Sequence, residues 1–237
     1  MRDLGGHPTV DGGETLYGRV VRADSVRQLT EAGWSAVADY GIRTVVDLRG
    51  EHEFRDDPPG ELPLDVISVP FMEGNEDEWN AIEADLNAAG DAAPDLETEL
   101  HDVYVILLEH FRSGAAAGVQ AVAQAPEGGV IVHCLGGKDR TGLLCAFLLD
   151  LAGVGVEEIA ADYAVSEERL RPRHDAWIAE ATTDVERDRL RRMLQTPAGA
   201  MVGVFAELDR RHGGVRAFLR QAGLSDEDLE LASGLLR

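Results

Sequence analysis

Positive charge is scarce in this chain of 237 residues: 22 lysines and arginines face 44 aspartates and glutamates, a formal charge of −22. Such a surface repels nucleic acid and anionic membranes at long range, so neither a nucleic-acid partner nor stable membrane association is expected. It also repels phosphorylated molecules, and any phosphate pocket here must be built from local cations. Cysteine is nearly absent. Cys134 and Cys145 are the only two, and no C-x-x-C pair occurs, which excludes a disulfide scaffold and a cysteine zinc site. His101, His110, His174 and His212 are scattered without ligand spacing, so no metal is expected. No apolar run approaches the 18 residues of a membrane span, and no basic n-region followed by an apolar run opens the chain. A cytoplasmic location follows as the expectation, with secretion lacking a recognisable signal left open. The chain contains neither G-x-G-x-x-G nor G-x-x-x-x-G-K-[ST], and Gly12-Gly13, Gly128-Gly129 and Gly213-Gly214 read as turns.

What is present suffices for one sizeable core: 44% of the residues are hydrophobic, which points to a single domain over 1–237. The first half alternates helices and strands, the pattern of an α/β fold. Thr30 can start a helix through Trp34, Val37 and Ala38 that ends at Gly41. Strands follow at Arg43–Leu48 and Asp65–Val69, separated by a charged, turn-rich stretch from Arg49 to Pro63. Residues 73–95 carry a weak pattern, that of an excursion or a short amphipathic helix. Helices are expected at about 96–112 and 115–125. After Gly153 the chain reads as helical to its end, at about 156–164, 166–180, 184–194, 198–210, 213–221 and 225–234, with breaks at Pro172, Pro197, Gly213-Gly214 and Gly223.

The most informative passage is Val130-Ile131-Val132, then His133-Cys134-Leu135-Gly136-Gly137-Lys138-Asp139-Arg140-Thr141-Gly142, then an almost wholly apolar helix to Leu151. A strand, a glycine-containing loop and a buried helix are what an α/β domain uses to seat an anion at a helix N-terminus. Cys134 and Arg140 bracket five residues, enough to wrap backbone N–H groups of Leu135 to Arg140 around one phosphate. Gly136 and Gly137 clear the side chains that would block that approach. Thiolate is the nucleophilic form of cysteine, and inward amides, a helix N-terminus and adjacent cations all stabilise an anion. The pattern points to two displacements at phosphorus, with Cys134 as nucleophile and Arg140 as a bidentate clamp on two phosphate oxygens. Thr141 can hydrogen-bond the sulfur as it departs, and His133 can orient the loop. Lys138 adds charge at the rim.

A leaving group needs a proton and the second step needs a base. Asp139, beside the clamp, and Asp47, at the end of a strand, are both candidates, and the sequence does not choose between them. Cys145 is most simply core, although a protective disulfide with Cys134 stays open. Arg169, Arg171 and Arg173, and the run Arg187 to Arg192, either extend a positive path to the pocket or serve as ordinary helix faces that offset nearby acids.

The loop His133 to Gly142, H-C-L-G-G-K-D-R-T-G, resembles the signature HC-x-x-GKDRTG of a bacterial and fungal tyrosine phosphatase family. Arg2 to Gly6, Tyr17 to Asp24 and Gly41 to Arg49 are similar to further landmarks of that family, so the likeness spans about residues 2–170. The resemblance implies a tyrosine-phosphatase-like central sheet flanked by helices, no metal or other cofactor, and a phosphocysteine intermediate. It implies that Lys138 and Asp139 bear on substrate range and catalysis, that Asp3 and Arg49 lie near the active-site mouth, and that helices within 73–112 or 155–195 form a lid. The substrates implied are phosphorylated proteins or small phosphomonoesters, with phosphotyrosine first, phosphoserine and phosphothreonine beside it, and phosphoinositides also in view. The chain lacks the W-P-D loop from which other tyrosine phosphatases take a general acid, so that role is not transferred. The competing readings are a phosphoinositide phosphatase, a non-catalytic phosphate-recognition module and a sulfurtransferase. The complete Cys134/Arg140 pair weighs against the module, and neither Arg140 at this spacing nor Thr141 is needed for sulfur transfer.

Overall fold

The computed structural model describes residues 1–55, 58 and 62–237. Among the described residues five strands form one mixed sheet: β1 (Arg2–Asp3), β2 (Val20–Ala23), β3 (Ile42–Asp47), β4 (Asp65–Ser68) and β5 (Gly129–His133), in the order β1-β2-β5-β3-β4. β1 runs antiparallel to β2, and the other neighbours are parallel. β5 is central and wholly buried, as a parallel strand covered on both faces should be. Ala23 pairs with His133, His133 with Asp47, and Asp47 with Ser68. The C-terminal ends of four strands therefore form one edge, the place where open α/β sheets bind ligands.

Ten α-helices surround the sheet among the described residues. On one face lies α1 (Glu31–Asp39), whose N-cap Thr30 accepts the Gly33 N–H, as expected of that threonine. Trp34 and Val37 of α1 pack on a small cluster that includes Val21, Val45 and Ile131. The alternate residues Val20, Val46, Val130 and Val132 face a much larger core, which follows from the two-residue period of a strand. That core is built with α2 (Glu76–Ala92), α3 (Leu96–His110), α4 (Arg112–Ala123), α5 (Asp139–Leu151), α6 (Val156–Glu180), α8 (Ala198–His212), α9 (Val215–Gln221) and α10 (Asp226–Leu235), while α7 (Asp184–Met193) lies outside it with no buried residue. The α/β class, the flanking helices and the helical C-terminal half agree with the reading of the sequence.

Local differences have physical causes. The weakly patterned region after residue 73 forms the 17-residue helix α2. Asn75 accepts the Glu78 N–H while the Glu78 side chain takes the Asn75 N–H, a reciprocal cap, and Trp79, Ile82 and Leu86 place one apolar stripe against the core. The expected break at Pro172 does not occur: α6 continues through it for 25 residues. A proline inside a helix loses one hydrogen bond and costs about 3 kcal/mol. Ile159, Ala160 and Tyr163 are fixed in the core before Pro172, while His174 is buried after it, so packing on both sides holds the helix continuous. Of the turn-rich stretch from Arg49 to Pro63, Glu51–Arg55 forms a 3-10 turn, and residues 56, 57 and 59–61 lie outside the described residues. Among the described residues no helix is long and apolar enough to cross a membrane.

Candidate active site

Cys134 follows the last residue of β5 directly, and its loop is pinned from both neighbouring strands. Ser25 N–H donates to the Leu135 carbonyl at 3.2 Å, and Leu48 N–H donates to the His133 carbonyl at 2.9 Å. α5 then begins at Asp139, with ten of its thirteen residues buried, so the loop sits on a helix that has no freedom to shift. Gly137 has φ +70°, and a Cβ there would lie 2.7 Å from backbone atoms of Ala23 and Asp24. No side chain fits at that position.

The Cys134 sulfur is buried and accepts two hydrogen bonds, from Gly137 N–H at 3.2 Å and from the Thr141 hydroxyl at 3.2 Å. Both donors favour negative charge on sulfur. Arg140 brings its guanidinium to the same loop. Nη2 donates to Glu53 Oε1 at 2.7 Å and Nη1 to Glu53 Oε2, while a weaker 3.4 Å contact joins Nη1 to the Leu48 carbonyl. Burial disfavours the Arg140 charge, but the Glu53 hydrogen bond and the nearby Cys134, Glu53 and Asp139 outweigh it and raise its pKa. Burial likewise opposes the Glu53 charge, and Arg140 outweighs it, leaving that carboxyl below its usual range. A guanidinium has five donors in a rigid fork. Glu53 takes the Nη1–Nη2 end and leaves Nε without a partner among the described residues.

The two candidate acids have separate surroundings. Asp47 is buried and held by Arg49, whose Nε donates to Asp47 Oδ1 at 2.9 Å and whose Nη2 donates to Oδ2 at 2.6 Å; the Arg49 backbone N–H adds a third bond to Oδ1. His133 Nε2 lies 3.7 Å from the same oxygen, and His133 Nδ1 lies 3.1 Å from the Cys134 carbonyl. Asp139 is half exposed and accepts a 2.6 Å hydrogen bond from the buried Tyr104 hydroxyl. Tyr104 in turn meets the Tyr163 hydroxyl at 2.6 Å. Burial first, then the Asp139 charge, holds the Tyr104 phenol well above its usual pKa and the Tyr163 phenol above it too. Tyr104 therefore stays a donor to Asp139.

Lys138, the only lysine of the chain, does not project at the rim. Its ammonium is buried, donates to the carbonyls of Met193 and, at 3.3 Å, Gln195, and lies 3.4 Å from Asp139. The reason is electrostatic: the C-terminal end of α7 presents unpaired carbonyls that attract a cation. Asp3 accepts hydrogen bonds from Gly5 N–H, Gly18 N–H and the Tyr40 hydroxyl, and so organises the N-terminal turn. Cys145 is fully buried and burial pushes its thiol up to about 12, while both cysteines are free. Arg187, Arg191 and Arg192 pair with Asp184, Asp188 and Glu99. Of the proposed lid regions, 155–195 reaches the loop through Trp177, 3.9 Å from a Cβ position on Gly136, and through the Lys138 contacts; 73–112 contributes Tyr104.

Sequence reasoning missed Glu53, Tyr104, Tyr163 and Arg22. Arg22 lies within the landmark Tyr17 to Asp24 without standing out in it, and the other three lie in no recognisable motif, since each reaches the loop from a separate element. Arg22, buried in β2, donates to the Gly137 carbonyl at 3.1 Å and to Asp162 at 2.9 Å.

The profile of the tyrosine phosphatase family matches residues 1–236. A tyrosine-protein phosphatase of Nostoc commune is 31% identical over 225 residues, covering 89% of this chain and 71% of its own. The triple specificity protein phosphatase PtpB of Mycobacterium tuberculosis is 24% identical over 257 residues, covering 92% of this chain and 91% of its own.

Proposed function

The chain belongs to the tyrosine phosphatase family, and from that premise we propose that it hydrolyses phosphomonoesters through Cys134, with Asp139 as the proton carrier. The Cys134 thiolate attacks phosphorus, an S–P bond forms, and the P–O bond to the leaving group breaks as Asp139 gives that oxygen its proton. Water then attacks the phosphocysteine and passes a proton to Asp139. The S–P bond breaks, thiolate returns, and inorganic phosphate leaves. Arg140 grips the phosphate through its Nε edge while Glu53 holds the opposite end of the fork. Thr141 supports the departing sulfur.

The observation that carries this reading is the pair of donors on Cys134 Sγ, from Gly137 and Thr141, beside a guanidinium whose Nε has no partner among the described residues. Asp139 is preferred to Asp47 because the latter's carboxylate is taken up by Arg49. The whole chain acts as one phosphatase domain, with the second half of α6 and α7 as its lid, in a reducing compartment such as the cytoplasm, where Cys134 stays a thiol. Phosphotyrosine is the first substrate. The loop's resemblance adds phosphoserine, phosphothreonine and phosphoinositides to its range, and the likeness to a phosphatase named for triple specificity supports a range wider than one substrate.

The test is release of inorganic phosphate from phosphotyrosine, phosphoserine, phosphothreonine and a soluble phosphoinositide, measured for the wild type and for Cys134→Ser. The expected result is fastest turnover on phosphotyrosine and loss of turnover by orders of magnitude in the variant, with binding retained. Turnover that survives Cys134→Ser would overturn the assignment.

A further inference from the structure

Beside the loop lies a cleft of about 400 Å³, walled by α6, the end of β2 and the segment around Arg2. Gly137 is the one residue of Cys134–Arg140 that lines it. Four arginines line it as well: Arg2, Arg22, Arg169 and Arg173. Asp162 pairs with Arg2 and Arg22, Asp24 pairs with Arg173, and Glu180 also stands in the wall. Arg169 has no ion pair among the described residues. The cleft thus keeps an excess of positive charge in a chain of formal charge −22, which is the local condition that an anion needs to approach such a surface.

A second observation points to a ligand rather than to surface charge alone. Ser166, Arg173 and Arg2 all line this cleft, and three of their buried donors, Ser166 Oγ, Arg173 Nε and Arg2 Nε, have no hydrogen-bond partner among the described residues. Ser166 is 3% exposed. Buried donors in native proteins are nearly always paired, and each orphan calls for a partner. Three on one positively charged wall call for an acceptor with several oxygens.

Resting on the phosphatase reading, we propose that this cleft seats a second phosphate of a doubly phosphorylated, soluble substrate while the first is held at Cys134. The spacing suits it. Gly137 N–H contacts the Cys134 sulfur at 3.2 Å and the Gly137 carbonyl accepts from Arg22 at 3.1 Å. A single residue's backbone separates the two seats, so they lie on the order of 10 Å apart or closer. Side chains two residues apart on an extended peptide share a face at about 7 Å, and neighbouring phosphates on a small ring fall in the same range.

The experiment compares kcat/KM for a phosphotyrosine peptide with the same peptide carrying a phosphoserine two residues away, and for a soluble inositol monophosphate with a bisphosphate. The wild type should favour the doubly phosphorylated member of at least one pair by about tenfold or more, since a phosphate gains charge-assisted hydrogen bonds. Whichever pair shows the preference identifies the carrier. In Arg173→Ala and in the milder Ser166→Ala the preference should fall towards unity, while Arg210→Ala, on the exposed face of α8, should retain it. A ratio near unity for both pairs in the wild type, or one that survives both cleft variants, would overturn the second seat. The singly phosphorylated peptide tests the phosphatase reading separately. Should it show no turnover, calorimetric binding of the mono- and bisphosphorylated peptides to Cys134→Ser still decides the cleft, with equal affinity overturning it.

Discussion

The end of β3 and the start of α5 both set an aspartate close to an arginine, and the two pairs do opposite things. At Asp47 and Arg49 the guanidinium turns back on its own neighbour, closes three hydrogen bonds to the carboxylate and is buried with it. At Asp139 and Arg140 the guanidinium is claimed by Glu53 from another element, and Asp139 is left half exposed, hydrogen-bonded to Tyr104. The residue types are the same in both places, and the spacing differs by only one residue, Asp47-Leu48-Arg49 against Asp139-Arg140. The partner that takes the guanidinium separates a pair that locks the sheet edge from one that leaves a carboxylate open, the group proposed above as proton carrier.

That contrast can be broken experimentally. Asp47→Asn should remove a buried carboxylate from beside Arg49 and lower stability by about 3–5 kcal/mol, the usual cost of removing one member of a buried ion pair. Urea unfolding measures it, and a change below about 1 kcal/mol would mean that Asp47 is not a lock.

Asp139→Asn should behave in the reverse manner: unfolding close to wild type, but kcat lower by about 10²–10⁴, the usual contribution of general acid–base catalysis. The loss should be greater on phosphoserine than on an aryl phosphate, because an alkoxide needs a proton more than a phenoxide does. An equal loss on both substrates would remove Asp139 from leaving-group protonation. The smallest effect belongs to Tyr104→Phe. It deletes one hydrogen bond to Asp139, worth about 1 kcal/mol, so kcat should drop about fivefold. A loss as large as that of Asp139→Asn would make Tyr104 the reacting group.

Much of the architecture was legible because it is written in short-range patterns. Thr30 capping α1, the β-branched run of β3 and the apolar stretch of α5 each announce themselves within a dozen residues. Pro172 misled because local propensity was overruled by packing on either side of it. The reciprocal cap at Asn75 and Glu78 was present in the sequence, yet the alanine-rich acids after it blurred the stripe of Trp79, Ile82 and Leu86. At the candidate site the Cys134-to-Arg140 spacing was plain. The direction of the Lys138 side chain was not, since it depends on where α7 ends.

The sequence by itself therefore determined the loop from Cys134 to Arg140, the strand that carries it and the buried helix that follows, because these are contiguous and steric. Only the tertiary structure decided which partner meets which: Glu53 on Arg140, Tyr104 on Asp139, the Met193 carbonyl on Lys138, and four arginines around one cleft. Charges act through space, and the elements that bring these partners within hydrogen-bonding distance lie tens of residues or more apart along the chain.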